Sequence, residues 1–467
     1  MAQMSQAGDL TSGPMLKKII LFSLPLAASS FLQLLFNAAD VVVVGRFVGS
    51  AALAAVGSNG ALINLLVNLF VGLALGANVV AARCYGAKDD QGVHEAVQTA
   101  VTLSLVGGVL MAFVGFFAAH GLLELMSSPE DVIDLATLYL KIYFIGMPMT
   151  MLYNFNASLL RAVGDTRRPL YFLIIACLVN IALDVVLVAV LGMGVLGAAL
   201  ATIFSQGVSA VLVLVSLTRA ETVYRLDWKQ VRFHGRLLGD ILRVGVPAGL
   251  QSNMYAISNI LIQTAINGFG TATVAAWTAH GKVDGFFWMI LGAYGISITT
   301  FAGQNFGAQK YDRIRRSVRV CLALGFGSAV LMSVLYCSLA PYLLGLFTRD
   351  AEVVSIGLDM VRQLVPYYFT YVCIEILAGA ARGCGCSLAP MLMTCGGVCV
   401  LRVAWIFILL PLRPELSTVL VSYPASWVFT SVLFIFYYLQ GGWLRGRIRK
   451  MGYAPEERGR KKEAGAH

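Results

Sequence analysis

The sequence predicts an all-α polytopic membrane protein that is built from two similar halves of six transmembrane helices each. The chain is 58% apolar and only 12% charged, roughly half the charged fraction of an ordinary soluble domain. Apolar stretches of about 20 residues recur along it, which is the helix length needed to cross a hydrocarbon core. The alternating pattern of a membrane β-strand is absent, and the second half of the chain repeats motifs of the first.

The repeat is clearest in one segment near the middle of each half. Residues 157–169 recur as residues 378–390, a shift of 221 positions that places Arg382 where the first half has Arg161. With one residue of slip, Pro25 corresponds to Pro247. Repeated halves in a very apolar chain are typical of transporters with a central path between the halves.

Twelve spans are expected. In the first half they cover residues 16–45, 52–82, 95–118, 132–156, 170–191 and 195–217. In the second half they cover residues 239–267, 273–302, 316–339, 353–377, 390–411 and 416–440. Two six-helix bundles that face each other across a cleft are the expected architecture.

These spans divide the chain into an N-lobe (16–217) and a C-lobe (239–440). Residues 1–15 are expected to be a cytoplasmic segment without the apolar run of a cleavable signal peptide. Residues 218–238 are expected to be a polar cytoplasmic linker with a short amphipathic helix. Residues 441–467 are expected to be a basic cytoplasmic tail, disordered at its end.

The distribution of positive charge predicts the orientation of the chain in the membrane. With the N-terminus in the cytoplasm, the outer loops hold only Arg46, Arg349 and Arg413, and most other Lys and Arg residues lie on the cytoplasmic side. Both halves then begin on the same side, so they are parallel repeats. The net charge of +10 therefore reflects membrane topology, and no nucleic-acid partner is expected.

Acidic residues inside the spans point to a site in the N-lobe, because each charged group there costs several kcal/mol. Asp40 and Asp184 both lie near the outer ends of their spans. Tyr139, Asn180 and Thr202 are expected at a similar depth. Two nearby carboxyl groups in a low dielectric cannot both ionise cheaply, so coupling to a proton or another cation is the favoured interpretation. The alternative is a static hydrogen-bonded cluster that holds four helices together.

The repeat shows that the acid pair belongs to one half only. With the one-residue slip that relates Pro25 to Pro247, Asp40 falls on Ile262, and the shift of 221 places Asp184 on Trp405; both of these are uncharged. Coupling is therefore expected in the N-lobe. In the C-lobe, Glu375 is expected to form a structural ion pair with Arg382.

Other polar side chains in the spans are candidates to line the cleft. Gln33 and Asn37 share a helix face with Asp40. The full set of cleft candidates is Gln33, Asn37, Asn154, Gln251, Asn259, Lys282 and Asp284.

The chain resembles the multidrug and toxic compound extrusion (MATE) family over residues 15–440. The resemblance rests on the two-times-six plan, the repeated Arg-x-x-Gly-[Asp/Cys]-x-x-x-Pro element, and the run Gly303–Ala308 with its partner Ala82–Ala87. It is most similar to the DinF-like branch, whose N-lobe cluster corresponds here to Asp40, Tyr139, Asn180, Asp184 and Thr202. In the NorM-like branch the coupling acids lie in the C-lobe, but here the seventh span has no acid after Asp240.

The resemblance implies a V-shaped, monomeric antiporter of the bacterial cytoplasmic membrane, with no cofactor. It would export small organic, often cationic and amphipathic compounds in exchange for H+ or Na+. In the implied mechanism the acids take up a proton from outside, the first span bends near Pro25 and the compound is expelled.

Two other transport functions remain open. A lipid-linked oligosaccharide flippase of the same fold would need a cationic cavity, for which only Lys141, Lys282, Arg362 and Arg402 are available in the spans. An ion-coupled importer is possible because sequence does not fix direction. An enzyme is not expected, since no hydrolase, metalloprotease or nucleotide-binding motif is present. A zinc site at Cys384, Cys386, Cys395 and Cys399 is not expected either, because these residues are split between a loop and a span.

Overall fold

The computed structural model describes residues 8–48, 50–125 and 130–453. All regular elements of these residues are helices, which confirms the prediction of an all-α fold. The helices of the first half are α1 (Met15–Phe47), α2 (Ser50–Gly86), α3 (Asp90–Leu125), α4 (Glu130–Ile145), α5 (Met147–Ala162), α6 (Arg167–Asp184, continued by a π-helical turn at Val185–Val190) and α7 (Gly194–Thr218).

The second half follows the same order. Its helices are α8 (Gly235–Asn267), α9 (Thr271–Gly307), α10 (Tyr311–Gly345), α11 (Ala351–Leu364), α12 (Tyr368–Gly383), α13 (Leu388–Thr394, continued by a π-helical turn at Cys395–Val400), α14 (Leu401–Leu409), α15 (Leu416–Gln440) and α16 (Gly442–Met451).

The described helices agree well with the predicted spans. Ten of them, some continuous across a short break, are long and apolar enough to cross a membrane, and α4 with α5 forms a further candidate that is bent by 49°. The bend lies where Pro148 enters the first turn of α5, as expected for a residue that lacks a backbone N–H. The helix α8 has 33 residues and takes the place of the seventh span, but no stretch of it is apolar enough to count among the ten.

Helix ends near the connecting loops differ from the predicted bounds by several residues. For example, α2 continues to Gly86 and α9 to Gly307, where the predicted spans end at 82 and 302. The reason is that hydropathy marks the apolar stretch alone, whereas the helices continue past it into polar residues.

One prediction about the segment between the lobes is wrong, and the tail holds a helix that the sequence did not predict. The linker contains only one 3₁₀ turn, Trp228–Gln230, instead of an amphipathic helix, and α8 already begins at Gly235. The tail begins with the folded helix α16, which buries Trp443 and Ile448. Residues 454–467, for which disorder is predicted, lie outside the described residues.

The N-terminal segment is also more than a free cytoplasmic extension. Leu10 is 2% exposed, and its backbone N–H donates to Gln304 Oε1 at 3.0 Å. Asn305 Nδ2 donates to the Leu10 carbonyl oxygen at 3.3 Å, and Arg313 Nη2 donates to the Ser12 carbonyl oxygen at 3.1 Å. The segment before α1 is therefore attached to the C-lobe. We call this end of the bundle, which the charge distribution assigns to the cytoplasm, the inner end.

The two halves meet at the inner end in a reciprocal contact. A Cβ atom added to Gly86 would lie 1.9 Å from the Gln304 carbonyl oxygen, and one added to Gly307 would lie 2.0 Å from the Arg83 carbonyl oxygen. The two glycines, and the two residues that they contact, are each related by the shift of 221. Since α2 and α9 make the same contact with the same ends, the halves are arranged as parallel repeats around an axis that passes between these helices.

A second close contact joins α2 to α8 further along. A Cβ atom added to Gly72 would lie 2.2 Å from the Gly249 backbone nitrogen, and one added to Gly245 would lie 2.6 Å from Leu73 Cα. Small residues allow two membrane helices to approach at backbone distance, where van der Waals contact is maximal. The α2–α8 contact thus depends on glycine on both sides.

The π-helical turns change the register between the repeats. The turn in the first half follows Asp184, but the turn in the second half comes earlier, at Cys395–Val400. A π turn accommodates one extra residue. Equivalent positions of the two halves are therefore 222 residues apart from the end of the second-half turn onward, and they are 221 apart again once the first-half turn has been passed. Asp184 therefore corresponds to Ile406, and the sequence-based assignment to Trp405 is wrong by one residue.

Burial supports this register. With a shift of 222, Asn180 corresponds to Arg402, and their exposed fractions are 0% and 3%. With a shift of 221 the partner of Arg402 would be Ile181, which is 39% exposed. The equivalent buried position is therefore Asn180 in the first half and Arg402 in the second half.

One ion pair crosses between the lobes at the inner end. Arg83 of α2 donates to Asp240 of α8, and their side chains are 8% and 24% exposed. We expect Asp240→Asn to lower the free energy of unfolding by about 1–3 kcal/mol, because it leaves a largely buried guanidinium without its counter-charge. Thermal unfolding in detergent measures the change.

The matched control is Asp359→Asn, whose partner Arg362 is 75% exposed, and it should change stability by less than about 1 kcal/mol. The double variant Arg83→Gln, Asp240→Asn should recover part of the loss. Equal stability of the Asp240 and Asp359 variants would show that the ion pair between the lobes adds nothing.

Candidate functional site

Four helices of the N-lobe bring the five predicted coupling residues together. Asp40 of α1 is 5% exposed, and Thr202 of α7 donates to its Oδ2 atom at 3.0 Å. The side chains of Asn180 and Asp184, both on α6, lie beside the Asp40 carboxyl group without a hydrogen bond to it. Tyr139 of α4 interacts with Thr202 and with both acids. We call these five residues the N-lobe acid cluster.

The acid cluster lacks compensating positive charge. Asp184 and Asn180 are both 0% exposed. No Lys, Arg or His in the described part of the chain forms an ion pair with Asp40 or Asp184. Asp40 Oδ1, both carboxyl oxygens of Asp184 and both polar atoms of the Asn180 amide are buried without a hydrogen-bond partner. Buried carboxyl groups in this state strongly favour uptake of a proton or a cation.

Thr202 can serve Asp40 in both of its protonation states. Its Oγ1 atom lies 3.0 Å from Asp40 Oδ2 and 3.0 Å from the Ala198 carbonyl oxygen. A hydroxyl has one hydrogen and donates to one acceptor at a time. It donates to Asp40 when the carboxylate is ionised. When Asp40 is protonated, the acid can donate to Thr202 Oγ1 and the hydroxyl can turn to Ala198.

The π-helical turn that begins directly after Asp184 is part of the site's geometry. Such turns interrupt the regular i→i+4 hydrogen bonding of a helix and are frequent at functional sites. Asn180 and Asp184 are four residues apart in the regular helix before the turn, so they share a buried face, and the turn at Val185–Val190 changes the register of the residues after them. Sequence inspection does not find it, since the run of valines has no feature that marks a π turn.

The predicted cleft residues are not linked to one another. Gln33, Asn37, Asn259 and Lys282 have exposed side chains. Asn154 is half-buried and bonds to its own helix at the Thr150 carbonyl oxygen, 2.9 Å away. No hydrogen bond joins any two of the seven candidates within the described residues.

The two remaining candidates are less accessible. Gln251 is 6% exposed, and its Oε1 atom is buried without a partner. Asp284 is half-buried and accepts from Trp288 Nε1 at 2.5 Å and from the Tyr368 hydroxyl.

The C-lobe has an aromatic interior that the sequence does not reveal, because aromatic residues are spread along the whole chain. Trp288 packs 4.8 Å from Tyr371 and 5.9 Å from Trp427, and Trp427 packs 5.7 Å from Tyr423, measured between ring centroids. We call Trp288, Tyr368, Tyr371, Tyr423 and Trp427 the C-lobe aromatic cluster. Helices α9, α12 and α15 contribute to it.

The charged residues of the C-lobe spans have separate environments. Glu375 accepts from Arg382 at 3.2 Å, which confirms the predicted ion pair. Arg362 pairs with Asp359, and Arg402 lies under the Tyr423 ring. With Lys141 over Phe116 and Lys282 exposed, the described basic residues form no common cavity for a phosphate group.

Comparison with known proteins assigns the family. The MatE family profile matches the chain twice, over residues 25–186 and 247–408. The chain belongs to the MATE family of multidrug efflux transporters. The two matched segments fall within the two lobes.

Individual relatives agree with this family. The probable multidrug resistance protein YoeA of Bacillus subtilis is 29% identical over 445 residues, which cover 93% of this chain and 96% of YoeA. The probable multidrug resistance protein NorM of Thermotoga maritima is 25% identical over 450 residues, covering 93% of this chain and 96% of that protein.

Solved structures show the same fold. A MATE crystal structure in a bent conformation superposes with a TM-score of 0.88 at 22% identity, covering 94% of this chain and 99% of the other. An outward-facing MATE family transporter superposes with a TM-score of 0.86 at 23% identity, covering 92% of this chain and 97% of the other. The family match together with the many apolar helices makes this chain a multi-pass membrane transporter.

Proposed function

We propose that this MATE transporter exports organic, often cationic and amphipathic compounds in exchange for protons, with the N-lobe acid cluster as the coupling site. One observation carries the proposal. Asp40 and Asp184 are buried side by side, and neither has a positively charged partner in the described structure. The resemblance to the DinF-like branch supports the same residues.

The proposed coupling step uses the two hydrogen-bonding states of Thr202. In an outward-open state a proton from outside binds to the acid pair, and Thr202 turns from Asp40 to the Ala198 carbonyl oxygen. Asp40 then no longer needs the hydroxyl as a donor, and α1 can shift at Pro25, which lies inside this helix. The compound leaves, the lobes change sides, and the proton is released to the cytoplasm.

The change of sides requires the inner end to open. The Arg83–Asp240 ion pair and the reciprocal contact of Gly86 with Gly307 would have to separate. We place this end and both termini in the cytoplasm of a bacterial cell, in agreement with the charge distribution. The functional unit is proposed to be a monomer.

Sodium is the alternative coupling ion. Asp40 Oδ1, the Asp184 oxygens and Asn180 Oδ1 could supply oxygen ligands for it, since none of them has another partner. We favour the proton because Tyr139 and Thr202 are hydroxyl groups that can exchange hydrogen bonds with a protonated acid.

Flux in reconstituted vesicles tests the proposal. We expect accumulation of a fluorescent organic cation such as ethidium when a pH gradient is imposed alone, and none with a sodium gradient alone. Transport driven by sodium at uniform pH would overturn the proton assignment. An absence of ethidium flux under both gradients would overturn the proposed function.

A further inference from the structure

The equivalent sites of the two lobes differ in charge. In the corrected register Arg402 stands where the N-lobe has Asn180, and Tyr423 stands where it has Thr202. Asp40 and Asp184 correspond to the apolar residues Ile262 and Ile406. The acidic site of the N-lobe is thus replaced in the C-lobe by a site with a buried cation.

The guanidinium of Arg402 is held in a fixed position. Its Nε and Nη2 atoms donate to Ser426 Oγ at 3.3 and 3.1 Å. The Tyr423 ring covers one face, with its centroid 4.0 Å from the guanidinium carbon. By the shift of 221, Ser426 corresponds to Ser205 of the N-lobe, as Tyr423 corresponds to Thr202. The two contacts of Arg402, with Ser426 and with Tyr423, therefore come from the face of α15 that is equivalent to the Thr202 face of α7.

This cation has no anionic partner. Arg402 is 3% exposed, and no Asp or Glu of the described chain forms an ion pair with it. Its Nη1 atom donates no hydrogen bond to a described residue. A buried guanidinium presents parallel N–H groups that match a carboxylate in geometry and charge. The free Nη1 edge is therefore suited to an anion.

The surroundings favour an amphipathic ligand over a simple ion. Tyr423 belongs to the C-lobe aromatic cluster, and it is within electrostatic reach of both Arg402 and Asp284. A flat aromatic compound could stack in this cluster while a carboxylate reaches Arg402. Because Tyr423 covers one face of the guanidinium, an anionic group would approach in the guanidinium plane, at the Nη1 edge.

We propose that Arg402 is an anion-binding site for the carboxylate group of exported compounds. This proposal rests on the proposed export of amphipathic compounds and extends the substrates to zwitterions. The N-lobe acids serve the coupling ion, while the C-lobe arginine selects for a negative group on the substrate.

Equilibrium binding of a matched dye pair to the purified full-length protein tests this site without any gradient. Tetramethylrhodamine has a free carboxylate, and its methyl ester has the same ring system and positive charge but no carboxylate. We expect Arg402→Gln to weaken binding of the acid by about ten- to hundredfold, as for loss of a charged hydrogen-bonded pair. Binding of the methyl ester should change by less than about twofold.

Two variants separate this role from a structural one. Arg362→Gln removes an exposed arginine of the same lobe and should leave both dyes unaffected. Ser426→Ala keeps the charge of Arg402 but removes its anchor. It should weaken binding of the acid severalfold without affecting the ester, and it also tests the site if Arg402→Gln fails to fold.

The outcomes are distinct. If Arg402→Gln weakens binding of both dyes equally, or of neither dye, the anion site is overturned. Wild-type protein that binds the ester but not the acid overturns it as well. The proposed function fails in a different experiment, when neither a pH gradient nor a sodium gradient moves the ester into vesicles. The two failures can be told apart because the binding comparison requires no gradient.

Discussion

Asp40→Asn is expected to reduce proton-driven export to the background of empty vesicles. The amide has nearly the size of the acid and can still contact Thr202, but it cannot bind and release a proton. Without that change of state, the outward-open and inward-open forms would no longer be linked to the pH gradient. Ethidium flux in vesicles under an imposed pH gradient measures the effect.

Asp134→Asn provides the matched control in the same lobe. Asp134 has an exposed side chain on α4, so its loss should leave transport unchanged. Equal amounts of folded protein in the two variants would show that Asp40→Asn acts on coupling and not on assembly. Normal transport by Asp40→Asn would rule out Asp40 as a coupling residue.

Gly72→Ala is expected to lower the stability of the folded transporter by about 3 kcal/mol, near the upper part of the range for overpacked sites. The added methyl group would lie 2.2 Å from the backbone nitrogen of Gly249. Backbone atoms cannot move aside as a flexible side chain can, so α2 and α8 must separate along their contact. The thermal unfolding temperature in detergent, together with the yield of monodisperse protein, reports the loss.

Gly292→Ala is the corresponding control. Gly292 also lies within a spanning helix, α9, but a Cβ atom there meets nothing within 4 Å. Alanine has the higher helix propensity, so this variant should be as stable as the parent or slightly more stable. Equal unfolding temperatures for the two variants would show that the α2–α8 contact does not require glycine.

Much of the fold follows from the sequence because membrane helices obey simple constraints. Their length and apolar character are local properties of the sequence. Each span of one half is also supported by its equivalent in the other half, which the shift of 221 identifies. The tail helix was missed because its many arginines indicate a solvated segment, whereas Trp443 and Ile448 are buried by contacts with distant parts of the chain. The N-terminal segment was missed for the same reason, since Leu10 is buried through Gln304 and Asn305.

The candidate site was partly predictable. Depth in the membrane and helix spacing were sufficient to group Asp40 with Asp184 and their three polar neighbours. The equivalence of Arg402 with Asn180 was not predictable, because it depends on π-helical turns at different positions in the two halves. A constant shift pairs Arg402 with Ile181 and hides the fact that Arg402 lies in the C-lobe site equivalent to the N-lobe acid cluster.

The central claim is that the N-lobe acids exchange protons for substrate. Proton release on substrate binding tests it most directly, by adding ethidium to purified protein in weakly buffered solution that contains a pH indicator. The wild-type protein should release protons as the cation binds, and Asp40→Asn should release fewer or none. Binding of ethidium to the wild type without any proton release, or equal release by both proteins, would contradict the claim.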